Sequence, residues 1–143
     1  MPVEAMPIEE QRAIALLGRV SYGRVAASMR ALPFLAIARH IVADDCVILR
    51  LHAGDGHHEA CAGSVVAYAA DNLSSGDAHI WSVQFTGTAE LTVPAPADVA
   101  RFDTAPAEVN GAPYEAVYLR IRPQFATVDR MEYPSLETAA APE

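Results

Sequence analysis

Short β-rich runs separated by turn residues fill most of this chain, and they restrict the folds that it can adopt. Connectors such as 29–33 and 43–45 are as short as those of antiparallel hairpins, and Asp44-Asp45 has turn chemistry. Pro123 lies between the last two runs and predicts a break there. The pattern favours an antiparallel meander. The seven predicted strands are 23–28, 34–42, 46–52, 64–70, 79–93, 115–121 and 124–131.

Two short amphipathic segments carry the start signals of helices. Residues 7–17 begin with proline and two glutamates, and residues 94–103 place proline and an aspartate in a first turn. Residues 104–113 are predicted as a linker. The resulting fold class is mainly β, a small antiparallel barrel with two or three short helices, because closure hides the edges of so many apolar strands.

Composition supports one folded unit and disfavours several classes of partner. The chain has 143 residues, 52% of them hydrophobic and 20% charged, with a net charge of −8. We assign a single domain to residues 1–133 and a flexible Ala- and Pro-rich tail to 134–143. The negative charge disfavours nucleic acid and anionic membranes as partners. The sequence contains no run of ~20 apolar residues and no signal-peptide pattern, so we expect a cytoplasmic protein.

The predicted strand 46–52 supplies the first candidate binding residues. Its alternation places Arg50 and His52 on one face. The glycine-containing loop that follows adds His57, His58 and free backbone N–H groups, and a guanidinium beside such donors can seat an anionic ligand. The alternative is that Arg50 extends into solvent and that the histidines are ordinary surface residues.

Metal binding is a weaker alternative for the same segment. His52, His57, His58 and Cys61 offer four ligands, but their spacing matches no zinc motif, and we predict no metal site. Cys46 forms no CxxC pair with Cys61. The sequence also contains no hydrolase elbow, P-loop or dinucleotide fingerprint.

The long run 79–93 adds two further candidates. Alternation places Trp81 and Ser82 on opposite faces, and Gly87 predicts a bulge or bend. Trp81 shares its face with Phe85 and is expected to pack against apolar neighbours. Ser82 lies on a face of small polar groups. Such a face either forms hydrogen bonds to the edge of a heterocyclic ligand or pairs with side chains of the neighbouring strand.

Local signatures in this order resemble a known family. Gly-Arg-Val-Ala at 23–26, Cys-Val-Ile-Leu-Arg-Leu-His at 46–52 and Trp-Ser-Val-Gln-Phe-Thr-Gly-Thr-Ala at 81–89 are followed by Tyr-Leu-Arg-Ile-Arg-Pro at 118–123. Over residues 8–132 the chain resembles the pyridoxamine 5′-phosphate oxidase-like flavoproteins, and more narrowly their short single-domain actinobacterial members.

The resemblance implies a homodimeric, FMN-binding split barrel with two flavin sites at the subunit interface. It places the phosphate on the third strand and the loop behind it, and the flavin ring near the long strand. This chain departs from the pattern by carrying Leu51 in place of a hydroxyl, and Asp55 and Glu59 weaken the loop's attraction for a dianion. The cofactor-binding residues that the resemblance implies are Arg50, Leu51, His52, His57, His58, Trp81 and Ser82.

Two functional hypotheses follow from this resemblance. The first is a flavin-dependent oxidoreductase that uses FMN, or the deazaflavin F420, to move a hydride to or from a small organic substrate. We do not expect oxidation of pyridoxamine phosphate itself, because no basic or histidine residue follows Met131. The second hypothesis is a split-barrel dimer that has lost flavin and binds a ligand without catalysis. Neither hypothesis assigns a catalytic acid or base.

Overall fold

Strands predominate in the computed structural model, which describes residues 8–134. The expectation of a mainly β fold with short helices is thereby confirmed. The predicted tail, apart from Pro134, lies outside the described residues, as does Pro7. None of the helices within residues 8–134 is long and apolar enough to cross a membrane. The elements are α1 (Ile8–Leu17), β1 (Tyr22–Met29), β2 (Leu32–Ala43), β3 (Cys46–His52), α2 (His57–Cys61), β4 (Val65–Asp71), β5 (His79–Thr92), α3 (Pro96–Arg101), β6 (Glu108–Val109), β7 (Ala112–Pro113) and β8 (Ala116–Glu132).

Six strands close into an antiparallel ring in the order β1, β2, β3, β8, β5 and β4, and β4 pairs back to β1. The β1–β2 and β2–β3 hairpins turn on two-residue connectors whose residues all have positive φ, as type I′ turns require. Asp44 and Asp45 form the second connector, with φ of 51° and 64°. The chain then departs from a simple meander, because β8 inserts between β3 and β5.

The prediction of two strands separated by Pro123 is wrong, because β8 runs unbroken from Ala116 to Glu132. Pro123 lies opposite Gly87 on β5, where the register of the two strands shifts. At that point a Cβ on Gly87 would come within 2.2 Å of the Arg122 carbonyl oxygen. The bulge predicted at Gly87 therefore exists, and it accommodates the proline that the sequence pattern treats as a terminator.

The predicted linker 104–113 contains a small two-stranded hairpin, β6–β7. It turns at Asn110-Gly111, with φ of 51° and 84°, which is a turn pair that the sequence does carry. We call residues 102–115 the strap, because they cross the outer face of the barrel between α3 and β8. Phe102 anchors one end of the strap in a small apolar cluster with Ile41 and Ile48.

The main hydrophobic core fills the barrel interior, and α1 packs against β5 and β8. One buried polar pair lies within it. His40 Nε2 donates to the Leu17 carbonyl at 3.0 Å, so His40 Nδ1 accepts from the Tyr68 hydroxyl. Gly23 makes room for this pair, because a Cβ there would come within 2.6 Å of the Tyr68 hydroxyl oxygen. The largest apolar residues of the core are Tyr68, Phe85, Leu17, Leu49, Leu51, Leu119 and Ile121.

Candidate functional site

A cavity of about 390 Å³ lies between β2, β3, the start of α2 and the strap. Its volume is within the range of small-molecule sites. The wall combines apolar or aromatic side chains with a few polar ones. The principal apolar and aromatic side chains are Tyr22, Leu35, Ile37, Val109 and Tyr114. The polar ones are Arg39, Arg50, His52, Asp55 and His57.

Arg50 is a buried cation in this wall, with only 3% of its surface exposed. Its Nη1 donates to the carbonyl oxygens of Phe102 and Asp103, at 3.3 and 3.1 Å. Its guanidinium also lies 5.5 Å from the centre of the Phe102 ring. Its Nε has no partner among the described residues. Arg50 therefore does not extend into solvent; it ties the strap to β3 and keeps one donor unused.

Arg39 lies directly opposite Arg50 on β2 and borders the same cavity. Its Nη2 donates to a carboxylate oxygen of Asp103 at 2.9 Å and to the Arg101 carbonyl at 3.1 Å. Arg39 is not among the binding residues predicted from the sequence. The signal was present, since the Asp44-Asp45 turn sets the register that pairs Arg39 with Arg50.

His52 ends β3 with its ring fixed by the strap. The Glu115 N–H donates to His52 Nδ1 at 3.0 Å, so the neutral ring carries its proton on Nε2. The ring stacks on Tyr114 with centroids 5.3 Å apart. Burial raises the pKa of the Tyr114 hydroxyl, and the positive charge of Arg50 opposes that shift. Gly54 allows the close approach, because a Cβ there would lie 2.4 Å from His52 Nε2.

The two histidines of α2 have different surroundings. His57 borders the cavity and stacks on Phe34, with centroids 4.3 Å apart and planes 13° apart. His58 does not line the cavity, and its Nδ1 is buried without a partner in residues 8–134. Cys61 is fully buried, which raises its thiol pKa to about 11. Over the described range, no three His, Cys, Asp or Glu side chains are placed to hold a metal ion.

The long strand β5 contributes no residue to the cavity of its own chain. Trp81 points into the barrel core and is 7% exposed. Ser82 lies between Asp71 of β4 and Asp129 of β8. In the ring of strands β8 separates β5 from β3, so neither side chain reaches Arg50. Of the seven residues implied by the resemblance, Arg50, Leu51, His52 and His57 border the cavity, whereas His58, Trp81 and Ser82 do not.

The donor set of the cavity fits a ligand with a flat apolar body and an anionic group. Tyr22 and Ile37 offer apolar surface, and the unpartnered Nε of Arg50 is a donor that burial leaves unsatisfied. A buried donor without a partner is destabilising unless a ligand or water pairs with it. A phosphate-bearing flavin has both features. The residues present therefore fit such a cofactor.

Comparison with known proteins identifies the family of this chain. The sequence matches the pyridoxamine 5′-phosphate oxidase family over residues 9–130. Over 104 residues it is 38% identical to the uncharacterized protein Rv0080 of Mycobacterium tuberculosis. The aligned segment covers 69% of this chain and 68% of that protein.

Solved structures share the barrel. A Corynebacterium glutamicum protein assigned as a pyridoxamine 5′-phosphate oxidase has a TM-score of 0.66 and 25% identity, over 90% of this chain and 93% of that one. An FAD-binding protein of Mycobacterium smegmatis has a TM-score of 0.63 and 22% identity, over 85% of this chain and 93% of that protein. A heme-binding protein of the same organism has a TM-score of 0.63 and 15% identity, over 90% of this chain and 59% of that protein. Because the family match spans nearly all of the described barrel, this chain belongs to the pyridoxamine 5′-phosphate oxidase family.

Proposed function

We propose that this protein is a flavin-dependent oxidoreductase that holds FMN in the cavity beside Arg50. Family membership supports a flavin, and two structural relatives are described as FAD-binding proteins. The observation that carries the proposal is the Arg50 guanidinium, buried in the cavity wall with its Nε unpartnered. A buried charge with a free donor attracts an anionic group more strongly than an exposed charge does.

Each part of the cavity wall has a role in this proposal. Arg50 binds the phosphate, and His52 and His57 add ring N–H donors. Tyr22 and Ile37 pack against the ring system and exclude water from it. The flavin supplies the hydride chemistry when it is bound, and the protein supplies position and electrostatics.

We also propose that the working form is a homodimer. Leu35, Ile37 and Val65 are apolar, yet each is more than 60% exposed. They lie on β2 and β4, which flank β1 in the barrel. Exposed apolar surface of this kind marks an interaction site, and a two-fold axis would place the same patch on both copies. Ser82 does not border the cavity of its own chain, so it could contact a flavin only in the cavity of a second copy.

The alternative function is ligand binding without catalysis. It is favoured by the bonds that Arg39 and Arg50 already make to the strap, and by the negative charge that Asp55 adds to the wall. One structural relative is described as a heme-binding protein. The two functions differ in whether the bound ligand exchanges electrons.

The experiment is a titration of purified protein with FMN, FAD and F420, followed by flavin fluorescence and by melting temperature. One of the three should bind at one molecule per chain and raise the melting temperature, because a ligand of the folded state stabilises it by about 2.7 kcal/mol at 100 times its Kd. NADH and NADPH are then added, and the flavin absorption band is followed. No binding of any flavin contradicts the proposal and favours the alternative, a barrel that has lost flavin, whereas binding without reduction by either nucleotide supports the cofactor site alone.

Variants locate the flavin. Arg50→Gln should weaken binding at least tenfold, since a charge-assisted bond to phosphate is lost. The matched control is Arg120→Gln, which removes a guanidinium from the exposed ion pair with Glu90 and should leave affinity unchanged. If Arg50→Gln does not fold, His57→Ala tests the same wall. Equal affinity in all variants would place the flavin elsewhere.

A further inference from the structure

Strand β3 offers few hydrogen-bond donors to the phosphate of the proposed cofactor. Arg50 keeps one free donor, its Nε, whereas the side chain of Leu51 packs in the barrel core and has none. Asp55 adds a carboxylate to the same cavity wall. A phosphate leaves water at low cost only when several donors replace its hydration. A donor from another element of the wall would therefore strengthen this end of the cavity.

Tyr114, at the end of the strap, brings such a donor to Arg50. Its side chain lines the cavity, and the Arg50 guanidinium acts on its hydroxyl both as a nearby charge and as a hydrogen-bond donor. Burial raises the pKa of Tyr114 more than Arg50 lowers it, so the hydroxyl keeps its proton at neutral pH. A guanidinium has no acceptor atom, so this proton cannot be donated to Arg50. Within residues 8–134 it has no other acceptor.

The position of the Tyr114 hydroxyl is fixed by its surroundings. The ring stacks on His52, with centroids 5.3 Å apart and planes 27° apart. The Tyr114 N–H donates to the Ala107 carbonyl at 3.0 Å. The next residue, Glu115, donates its N–H to His52 Nδ1 at 3.0 Å and accepts from the Ala53 N–H at 2.8 Å. A donor held in this way loses little conformational freedom when a ligand binds.

We infer that Tyr114 is a phosphate-binding residue, and that its hydroxyl and Arg50 Nε donate to the same phosphomonoester. The bound phosphate thereby joins β3 to the strap. The inference rests on the proposed function for the identity of the cofactor, FMN, and it names the residue of the strap that holds the phosphate. Tyr114 supplies the hydroxyl that β3 lacks at Leu51, and it has no part in electron transfer.

The test compares FMN with riboflavin, which has the same ring system without the phosphate, by flavin fluorescence. Tyr114→Phe keeps the stacked ring and removes only the oxygen. It should weaken FMN binding about tenfold, because a hydrogen bond to a charged group is lost, and leave riboflavin binding unchanged. Tyr118→Phe is the matched control, since Tyr118 pairs with Arg50 across β3 and β8 but does not line the cavity. It should bind both flavins as the wild type does.

Hydrogen exchange of the wild-type protein tests the same inference without a substitution. FMN should slow exchange in residues 104–113 of the strap more than riboflavin does at equal saturation, because only FMN joins the strap to β3. Equal protection by the two flavins would overturn the inference. Unchanged FMN affinity in Tyr114→Phe, or an equal loss for FMN and riboflavin, would also overturn it and leave the proposed function standing.

Inorganic phosphate separates the two proposals if the wild type binds no flavin. That result contradicts the proposed function, but phosphate should still raise the melting temperature of the wild type and of Tyr118→Phe, and raise that of Tyr114→Phe less. Equal shifts in the three proteins would overturn the phosphate role of Tyr114 as well.

Discussion

His40 Nδ1 lies 2.5 Å from the hydroxyl oxygen of Tyr68, inside the apolar interior of the barrel. The other ring nitrogen of His40 is bonded to the Leu17 carbonyl at the end of α1. The pair thus links β2 and β4 and connects both to the helix. Burial raises the pKa of the Tyr68 hydroxyl, which keeps it a donor. This connection makes the barrel's stability sensitive to single atoms and to pH.

Tyr68→Phe removes one oxygen and leaves the buried Nδ1 of His40 without a donor. We expect a loss of about 1–3 kcal/mol in the free energy of unfolding, measured by chemical denaturation. Tyr133→Phe is the control, because Tyr133 is exposed and should change stability by less than about 0.5 kcal/mol. Equal effects of the two substitutions would mean that the buried bond contributes nothing.

His40 should make the barrel less stable in mild acid. Burial lowers its pKa below 6.5, and the hydrogen bond to the Leu17 carbonyl opposes only part of that shift. Well above pH 6.5 the ring is neutral in both the folded and the unfolded state, so its contribution to stability is fully present. As the pH falls below 6.5, the unfolded chain binds a proton that the folded chain does not, and stability falls by up to about 1.4 kcal/mol per pH unit.

Denaturation midpoints measured between pH 7.5 and 5.5 check this prediction. His40→Gln should have lower stability throughout but a flatter pH profile. His79→Gln removes an exposed histidine and should keep the wild-type slope. A His40→Gln profile as steep as that of the wild type would contradict the assignment.

Gly23→Ala should destabilise the barrel where β1 packs against β4. The added Cβ would lie 2.4 Å from the Ala69 carbonyl oxygen and 2.6 Å from the Tyr68 ring. Overpacking of this kind costs about 1–3 kcal/mol. The control is Gly18→Ala, where the nearest atom is at an ordinary 3.6 Å. A melting temperature unchanged in Gly23→Ala would show that the strands move apart freely there.

Phe102→Ala should release the anchored end of the strap. Phe102 is fully buried against Ile41 and Ile48, and its loss should cost about 3 kcal/mol or more. Its carbonyl also accepts from Arg50, so ligand binding in the cavity should weaken together with stability. Val99→Ala in α3, just before Phe102, is the control, because Val99 is more exposed. Hydrogen exchange of residues 102–115 should accelerate only in Phe102→Ala.

Several features of the site could be found from local pattern alone. The alternation of β3 places Arg50 and His52 on one face, and the turn at Asp44-Asp45 fixes where β2 pairs with it. The structure places both residues on the cavity wall. Arg39 was not predicted because the alternation was applied to β3 alone, although the register set by the same turn places Arg39 opposite Arg50.

Other features depend on contacts that no local pattern contains. Pro123 continues β8 because its partner across the sheet is Gly87, thirty-six positions earlier in the chain. Arg50 is buried because Phe102 and Asp103 fold back over it. Trp81 and Ser82 lie away from the cavity because β8 enters the ring between β3 and β5.

The sequence by itself determined the strand-rich character, the tight hairpins and which side chains share a face, since these follow from residue-to-residue geometry with a period of two. Only the tertiary structure decided which faces meet, because strand order and the path of the strap depend on packing between residues distant in sequence. Arg39, Arg50 and Asp103 come together through that packing, because the strap folds back over both arginines.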